Sequence, residues 1–130
     1  MFTAEQIKAA HAKVKSGADF PAYIAELKHL GVQSYETFVA DGHTDFYGKD
    51  GYRISGMPKY ESMEVADDTN NANFLVALRL HQQGRTDYRT FCAQSAENGV
   101  KKWCVDMEAM TCSYFDKVGN LMFSEAIPEA

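Results

Sequence analysis

The sequence lacks any apolar run long enough to cross a membrane. Its longest uniformly apolar stretch is Phe74 to Leu78, whereas a spanning helix needs about 20 such residues. Met1 to Gln6 carry no basic region and no apolar core, so we expect no secretory signal. Lys101-Lys102 is the largest basic group, and the net charge is −5. We therefore expect neither a nucleic acid nor a membrane as partner, because phosphate backbones and anionic lipid surfaces repel an acidic protein.

Cysteine is scarce and shows no paired spacing. Cys92, Cys104 and Cys112 form no C-x-x-C pair, and an odd number leaves one without an intramolecular partner. This pattern favours a reduced, cytoplasmic setting. We expect Cys112 to be a buried apolar group on one strand face and Cys104 to point to the opposite face.

Sequence motifs of common catalytic and cofactor sites are also missing. The four histidines are scattered without metal-ligand spacing. The sequence contains no nucleophile elbow, no phosphate-binding glycine loop and no dinucleotide fingerprint. We expect no metal and no cofactor.

The chain does have enough apolar and aromatic residues to form a core. Of its 130 residues, 45% are hydrophobic, including 8 Phe, 7 Tyr and 1 Trp. This composition excludes global disorder, and the length predicts a single domain covering residues 1–130.

The second half of the chain echoes the first at a spacing of 68 residues. Asp19-Phe20 recurs as Asp87-Tyr88, Gly31-Val32 as Gly99-Val100, and Tyr35 is replaced by Trp103. The further matches are Tyr23 with Phe91, Phe46-Tyr47 with Tyr114-Phe115, and Lys49-x-Gly51 with Lys117-x-Gly119. Aromatic residues match aromatic residues and turn glycines match turn glycines, which predicts a duplicated structural unit. Chance likeness between halves of similar element order is the alternative.

Each half predicts two helices followed by three strands. Thr3 with Gln6 forms a capping box, Ser16-Gly17 is expected to end the first helix, and Gly31 ends the second. After Gly31 the apolar period changes from helical to two, and Asp41-Gly42 predicts a hairpin turn.

In the second half the apolar positions change from odd to even numbers. Trp103, Val105 and Met107 are followed by Met110, Cys112 and Tyr114. Strand faces alternate strictly, so this change requires either a hairpin turn or a bulge, and we predict a hairpin.

The two halves are joined by an acidic connector. It runs from Ser55 to Asn71, and a short strand is expected around Ser62 to Ala66. The sequence thus predicts an α+β fold with four helices packed on an antiparallel sheet. Two αα-βββ pseudo-repeats, at about 1–56 and 70–127, would build it.

His43, Asp45 and Tyr47 are the best candidates for chemistry. They alternate along a predicted strand and therefore share one face. An imidazole beside a carboxylate and a phenol can be oriented as a base, although the polar outer face of a hairpin gives the same pattern. Asp106 and Glu108 also share a face. Such carboxylates can divide into acid and base, or can simply form the solvent side of a strand.

Two stretches carry a resemblance to a known family. The first runs from Tyr35 to Tyr52, and the second runs from His81 to Tyr88 and continues through 103–107 and 110–116. Both resemble small bacterial and prophage proteins of unknown function, often labelled "phage envelope protein". The resemblance implies no established reaction, cofactor or catalytic residue. A capsid or tail role would favour flat self-assembling surfaces or long repeats, which the sequence does not show.

These observations favour a soluble, non-enzymatic binding or interaction module for an unknown small molecule or protein. The expected binding place is a groove between the two three-stranded meanders. The alternative is a small enzyme using His43, Asp45 and Tyr47 in a pocket. A third hypothesis is a homodimer whose last strand pairs across a twofold axis, because Leu121-Met122-Phe123 is apolar on both faces. A central strand within one monomer would show the same pattern.

Overall fold

The chain runs twice through two α-helices and three strands in a computed structural model that describes residues 1–15 and 17–128. The helices are α1 (Ala4–His11), α2 (Phe20–Leu30), α3 (Asn71–Gln82) and α4 (Tyr88–Glu97). The strands are β1 (Ser34–Phe38), β2 (Thr44–Tyr47), β3 (Arg53–Ser55), β4 (Lys102–Asp106), β5 (Thr111–Phe115) and β6 (Leu121–Ala126). The predicted α+β class, with four helices and an antiparallel sheet, is confirmed. Within the described residues, none of the helices combines the length and the hydrophobicity that crossing a membrane requires.

Local side chains define the helix ends. Thr3 Oγ1 accepts a hydrogen bond from the Gln6 N–H, and Gln6 Oε1 accepts one from the Thr3 N–H, so the capping box is confirmed. Helix α2 ends at Gly31, whose φ of 103° is left-handed. Helix α1 ends at His11, earlier than predicted. Ser16, part of the predicted stop, lies outside the described residues.

The six strands form one antiparallel sheet in the order β3-β2-β1-β4-β5-β6. Strands β1 and β4 pair at its centre, where Glu36 lies opposite Cys104. The two three-stranded meanders are therefore joined by backbone hydrogen bonds. The prediction of a groove between them was wrong. A ladder satisfies the inner N–H and C=O groups of both meanders, which a groove would leave open.

The connector makes its backbone contacts without forming a strand. Met63 N–H donates to Ala40 O, and Ala66 N–H donates to Ala96 O. These acceptors belong to a hairpin turn and to helix α4, so the N–H groups are satisfied outside any ladder. The prediction of a short strand around Ser62 to Ala66 was wrong.

The second hairpin forms where the apolar pattern changes. Strand β4 ends at Asp106 and β5 begins at Thr111, which confirms the predicted hairpin. Met110 closes the turn with a φ of 54°, whereas Gly42 has 75° in the first hairpin. A positive φ is uncommon for a residue other than glycine, which explains why the sequence of this turn gives a weak signal.

All four helices pack on the same face of the sheet and form one hydrophobic cluster with it. Trp103 illustrates this packing, because its ring lies 6.3 Å from that of Tyr88, 5.7 Å from Phe91 and 6.1 Å from Tyr114. On the central strands, Tyr35 and Thr37 are buried while their neighbours are only half-buried. The alternation shows that no helix of residues 1–15 and 17–128 covers the opposite face of the sheet.

Candidate functional site

The sheet face turned away from the helices is the candidate site, and we call it the open face. Its side chains follow from the register of the six strands, because alternate residues of paired strands point to the same side. At its centre and flanks lie Ser34, Glu36, Phe38, Asp45, Tyr47, Arg53, Lys102, Cys104, Ser113 and Phe115. The face thus combines charged groups with aromatic rings.

Glu36 occupies the centre of the open face and is held by three donors. Its Oε1 accepts hydrogen bonds from Lys102 Nζ at 3.1 Å and from Cys104 Sγ at 3.4 Å, and its Oε2 accepts one from Tyr47 OH at 3.2 Å. Burial raises the pKa of Glu36, but the hydrogen bonds from Lys102, Cys104 and Tyr47 lower it by more. Glu36 is therefore a carboxylate at neutral pH.

The groups around Glu36 respond to its charge. The hydrogen bond to Glu36 raises the pKa of Lys102, so this ammonium group stays charged. Burial, followed by the charge of Glu36, raises the pKa of Cys104 to about 11. Cys104 is accordingly a protonated thiol and a poor nucleophile at neutral pH.

Asp45 lies opposite Glu36 on the neighbouring strand and is only half satisfied. Arg53 Nη2 donates to its Oδ2 at 3.1 Å, while its Oδ1 is buried and has no hydrogen-bond partner among the described residues. Asp45 is 4% exposed, whereas the Arg53 side chain is 56% exposed. A buried carboxylate oxygen without a donor is costly, so a donor supplied by a ligand would be stabilised there.

Aromatic rings border the two carboxylates. Lys102 Nζ lies 5.9 Å from the ring centre of Phe38 and 5.8 Å from that of Phe115. The guanidinium of Arg53 lies 5.9 Å from the ring of Tyr47. Cations are attracted to ring faces at such distances. Carboxylates flanked by rings form a surface suited to binding positively charged groups.

The three residues predicted from the sequence each contact a different partner. His43 Nδ1 lies 2.5 Å from Asp41 Oδ1, and its ring stacks on Phe38 at 4.5 Å. Burial raises the pKa of Asp41, but hydrogen bonds from His43 lower it by more. Asp45 pairs with Arg53 and Tyr47 with Glu36. Asp45 and Tyr47 lie on the open face, but the three side chains do not meet at one point.

Asp106 and Glu108 do not form a pair on one strand face. Strand β4 ends at Asp106, and Glu108 lies in the following turn, so their predicted placement on one strand was wrong. Asp106 Oδ1 accepts hydrogen bonds from the N–H groups of Glu108 and Ala109 at 2.9 and 3.1 Å. The carboxylate of Asp106 therefore shapes the β4–β5 turn, as Asp residues commonly do.

Two shallow depressions lie away from the open face. One of about 440 Å³ is lined by connector residues, including Glu64 and Asp67, together with Lys117. The other, about 200 Å³, lies between α1 and α2 beside Tyr23. Across residues 1–15 and 17–128, no group of three or more His, Cys, Asp or Glu side chains could hold a metal ion. All three cysteines are free, and Cys112 is buried.

Glu36, Arg53 and Lys102 belong to the site but were not predicted from the sequence. Lys102 meets Glu36 only because β1 pairs with β4, and no local pattern predicts which strands become neighbours. A usable signal did exist. The polar residues at even positions of β1 and β4 alternate with apolar Tyr35 and Trp103, which indicates an uncovered outer face.

The fold and the open face define a small α+β protein with helices on one side of an antiparallel sheet. Residues 8–126 match the family described as "Protein of unknown function (DUF1398)", and the chain belongs to this family.

Uncharacterised bacterial proteins are among its relatives. The chain is 29% identical over 98 residues to "Uncharacterized protein Rv2012" of Mycobacterium tuberculosis (strain ATCC 25618 / H37Rv), which covers 74% of this chain and 59% of that protein. It is 24% identical over 115 residues to "Uncharacterized protein YcgX" of Escherichia coli (strain K12), covering 88% and 86%. The match thus spans about three fifths of the mycobacterial relative. None of these names refers to a phage or an envelope, so that label stays a prediction.

Proposed function

We propose that the protein is a binding module that holds a cationic side chain of a protein partner on its open face. The observation that carries this proposal is the buried Asp45 carboxylate. Within the part of the chain that the structure describes, one of its oxygens has a donor and the other has none. A guanidinium presents several donors in a fixed fork and can serve both oxygens of one carboxylate. An arginine from a partner could therefore donate to both oxygens of Asp45, whereas Arg53 donates only to Oδ2.

Arg53 acts as an internal substitute for this ligand. Its side chain is more than half exposed, so it can move into water at little cost and leave Asp45 to an incoming cation. Glu36 lies opposite Asp45 and adds a second negative charge to the same surface. Two adjacent carboxylates repel each other, and a bound cation would relieve that repulsion.

The surroundings of the two carboxylates support a protein as partner. Phe38, Tyr47 and Phe115 offer half-exposed rings, and aromatic residues with arginine contribute most of the energy in many protein interfaces. The net charge of −5 favours a basic partner over a nucleic acid. Three free cysteines support a reducing, cytoplasmic setting. The association with phages remains a prediction drawn from resemblance.

A binding role fits the geometry better than the enzyme hypothesis. Catalysis by His43, Asp45 and Tyr47 needs these groups to act on one reacting atom. Instead, His43 is hydrogen-bonded to Asp41, and Asp45 is hydrogen-bonded to Arg53. Turnover of a metabolite that His43→Ala abolishes would favour the enzyme hypothesis instead.

We also propose that the halves are copies of one structural unit. Helices α2 and α4 begin 68 residues apart, and so do β1 and β4 and also β3 and β6. The central pairing places Ser34 opposite Asp106 and Phe38 opposite Lys102, which is the register of a twofold arrangement. Superposition of 1–56 on 70–127 tests this proposal, and it fails if Tyr35 does not fall on Trp103.

Titration calorimetry with a capped hexa-arginine peptide tests the binding proposal. We expect saturable binding at low salt that Asp45→Asn weakens at least tenfold, because the substitution removes the charge and keeps the shape. Hexa-glutamate should not bind. Glu36→Gln provides a second variant on the same face if Asp45→Asn fails to fold.

Asp67→Asn is the matched control, because it removes the same charge from an exposed site on the connector. It should leave the affinity for the hexa-arginine peptide nearly unchanged. If the peptide does not bind, or if Asp67→Asn weakens binding as much as Asp45→Asn does, the open face is not the binding site.

A further inference from the structure

Strand β6 is a sheet edge with backbone groups directed outward. It ends the sheet and is six residues long, from Leu121 to Ala126. Ile127 N–H donates to Met110 O, so the residues that bond to β5 are 123, 125 and 127. Ladder bonds alternate along a strand, so the N–H and C=O groups of Ser124 and Ala126 point away from the sheet.

The other edge is better protected than β6. Strand β3 has three residues, begins with the charged Arg53, and leads into a connector that contains Pro58. Short length, charge and proline are the usual protections of an edge. Strand β6 contains neither lysine nor proline. Its one charged side chain is that of Glu125. The Glu125 carboxylate accepts hydrogen bonds from Arg79 Nη1 at 2.9 Å and from Gln82 Nε2 at 2.6 Å, and the charge of Arg79 balances its own.

We infer that β6 pairs with β6 of a second copy of this chain, antiparallel and centred on Glu125. In this register Ser124 and Ala126 of each copy exchange backbone hydrogen bonds with Ala126 and Ser124 of the other. The ladder stops at Met122, because its carbonyl already accepts a hydrogen bond from Asn71 Nδ2 at 3.1 Å. The dimer would extend the sheet without changing either subunit.

The side chains at this edge complement themselves in that register. Phe123 lies opposite Ile127 of the second copy, so two apolar side chains meet on the helix side of the joined sheets. Glu125 meets its own equivalent, but each carboxylate carries an Arg79 that can bridge both. The exposed residues Ser124 and Ala126 are small, and they let the second strand approach. This self-complementarity favours a second copy over an unrelated strand.

Sedimentation equilibrium of the full chain tests the inference. We expect a monomer–dimer equilibrium with a dissociation constant in the micromolar range, because a short ladder adds few contacts. Ala126→Lys should shift the chain to monomer by at least tenfold in this constant, since edge lysines oppose pairing. Ser55→Lys places the same charge on the exposed edge β3 and should leave the dimer intact.

Hydrogen exchange keeps the inference testable if the variant misfolds. In the wild-type chain, the amide hydrogens of Ser124 and Ala126 should exchange more slowly as protein concentration rises, while that of Ser55 should not change. A monomer at millimolar concentration would overturn the inference. A dimer that survives Ala126→Lys, or fast exchange at Ser124 and Ala126 in the dimer, would do the same.

Discussion

The two halves of the chain share a framework and differ on the open face. At the centre of the sheet, Glu36 of the first half lies opposite Cys104 of the second, 68 residues later. Asp45 corresponds in the same way to Ser113. At these two positions of the open face, the first half carries a carboxylate and the second half carries a small neutral group. Residues shared by both halves build the structural unit, whereas Glu36 and Asp45 occur in the first half alone and form the proposed binding site.

On the helix side the difference is one of degree. The ring of Tyr35 packs against that of Phe46, with ring centres 5.5 Å apart. Its counterpart Trp103 contacts the rings of Tyr88, Phe91 and Tyr114. The core of the second half is thus richer in aromatic packing, and we expect it to contribute more to stability.

Truncating the two core aromatics should give the largest effect. We expect Trp103→Ala to lower the free energy of unfolding by about 4 kcal/mol and Tyr35→Ala by about 3 kcal/mol, because the larger ring loses more contacts. Urea unfolding followed by circular dichroism measures both. Equal losses, or a larger loss at Tyr35, would contradict the proposed difference between the two cores.

The glycines that end α2 and α4 should also respond unequally. Both have left-handed backbone, with φ of 103° at Gly31 and 87° at Gly99. A Cβ at Gly31 would meet no atom of the described residues within 4 Å, whereas one at Gly99 would lie 2.8 Å from Asp68 O and 3.0 Å from Thr69 Cα. We expect Gly31→Ala to cost about 1 kcal/mol from backbone strain alone. Gly99→Ala should cost about 3 kcal/mol, because overpacking against the connector backbone adds to the strain.

Urea unfolding of the two alanine variants checks this prediction. Similar losses in the free energy of unfolding for the two variants would contradict it. They would mean that the connector backbone moves away from the new Cβ at position 99 at little cost.

Thiol reactivity should show the charge of Glu36 acting across the centre of the sheet. Because burial and Glu36 raise the pKa of Cys104 to about 11, we expect slow alkylation by iodoacetamide at pH 8. Glu36→Gln should lower this pKa and speed the reaction roughly threefold to tenfold, since one pKa unit changes the thiolate fraction about tenfold. Mass spectrometry identifies the modified residue, and an unchanged rate would contradict the contact.

The smallest effect should be the pH dependence contributed by Glu36. Its folded pKa lies below the ordinary value of 4.5, so its stabilisation is present above that value and is lost as pH falls through the folded pKa. Glu36→Gln should therefore remove a contribution of about 1 kcal/mol or less at pH 6, and a smaller one at pH 3. Urea unfolding at both pH values tests this. A constant difference between the two proteins would contradict it.

Local signals explain how much of the fold the sequence predicts. The capping box at Thr3, the stop at Gly31 and the change of period after it are nearest-neighbour effects, and the structure confirms them. The predicted strand around Ser62 to Ala66 failed because its N–H groups bind a distant turn and α4. Propensity says nothing about such partners.

The site was harder to predict, because it depends on long-range pairing. Asp45 and Tyr47 are visible as alternating polar residues on one strand, and both lie on the open face. Their partners Arg53 and Glu36 come from neighbouring strands, and Lys102 comes from the other half. His43 was expected to act with Asp45. Instead, the tight turn before β2 places its imidazole in hydrogen-bond contact with the carboxylate of Asp41.

A second acidic surface of the chain competes with the open face for cations. The connector carries Glu61, Glu64, Asp67 and Asp68, and this exposed acidic segment could attract any cation without geometric selection. Binding on the open face should be localised and should depend on shape, whereas binding to the connector should be diffuse and readily screened by salt.

The most direct measurement is a two-dimensional NMR titration of the ¹⁵N-labelled chain with the hexa-arginine peptide. We expect saturable shifts concentrated on β1, β2 and β3 around Glu36, Asp45 and Arg53, with smaller shifts at Ser113 in the second half. Shifts confined to the connector between 61 and 68, or spread evenly over both halves, would contradict the binding proposal.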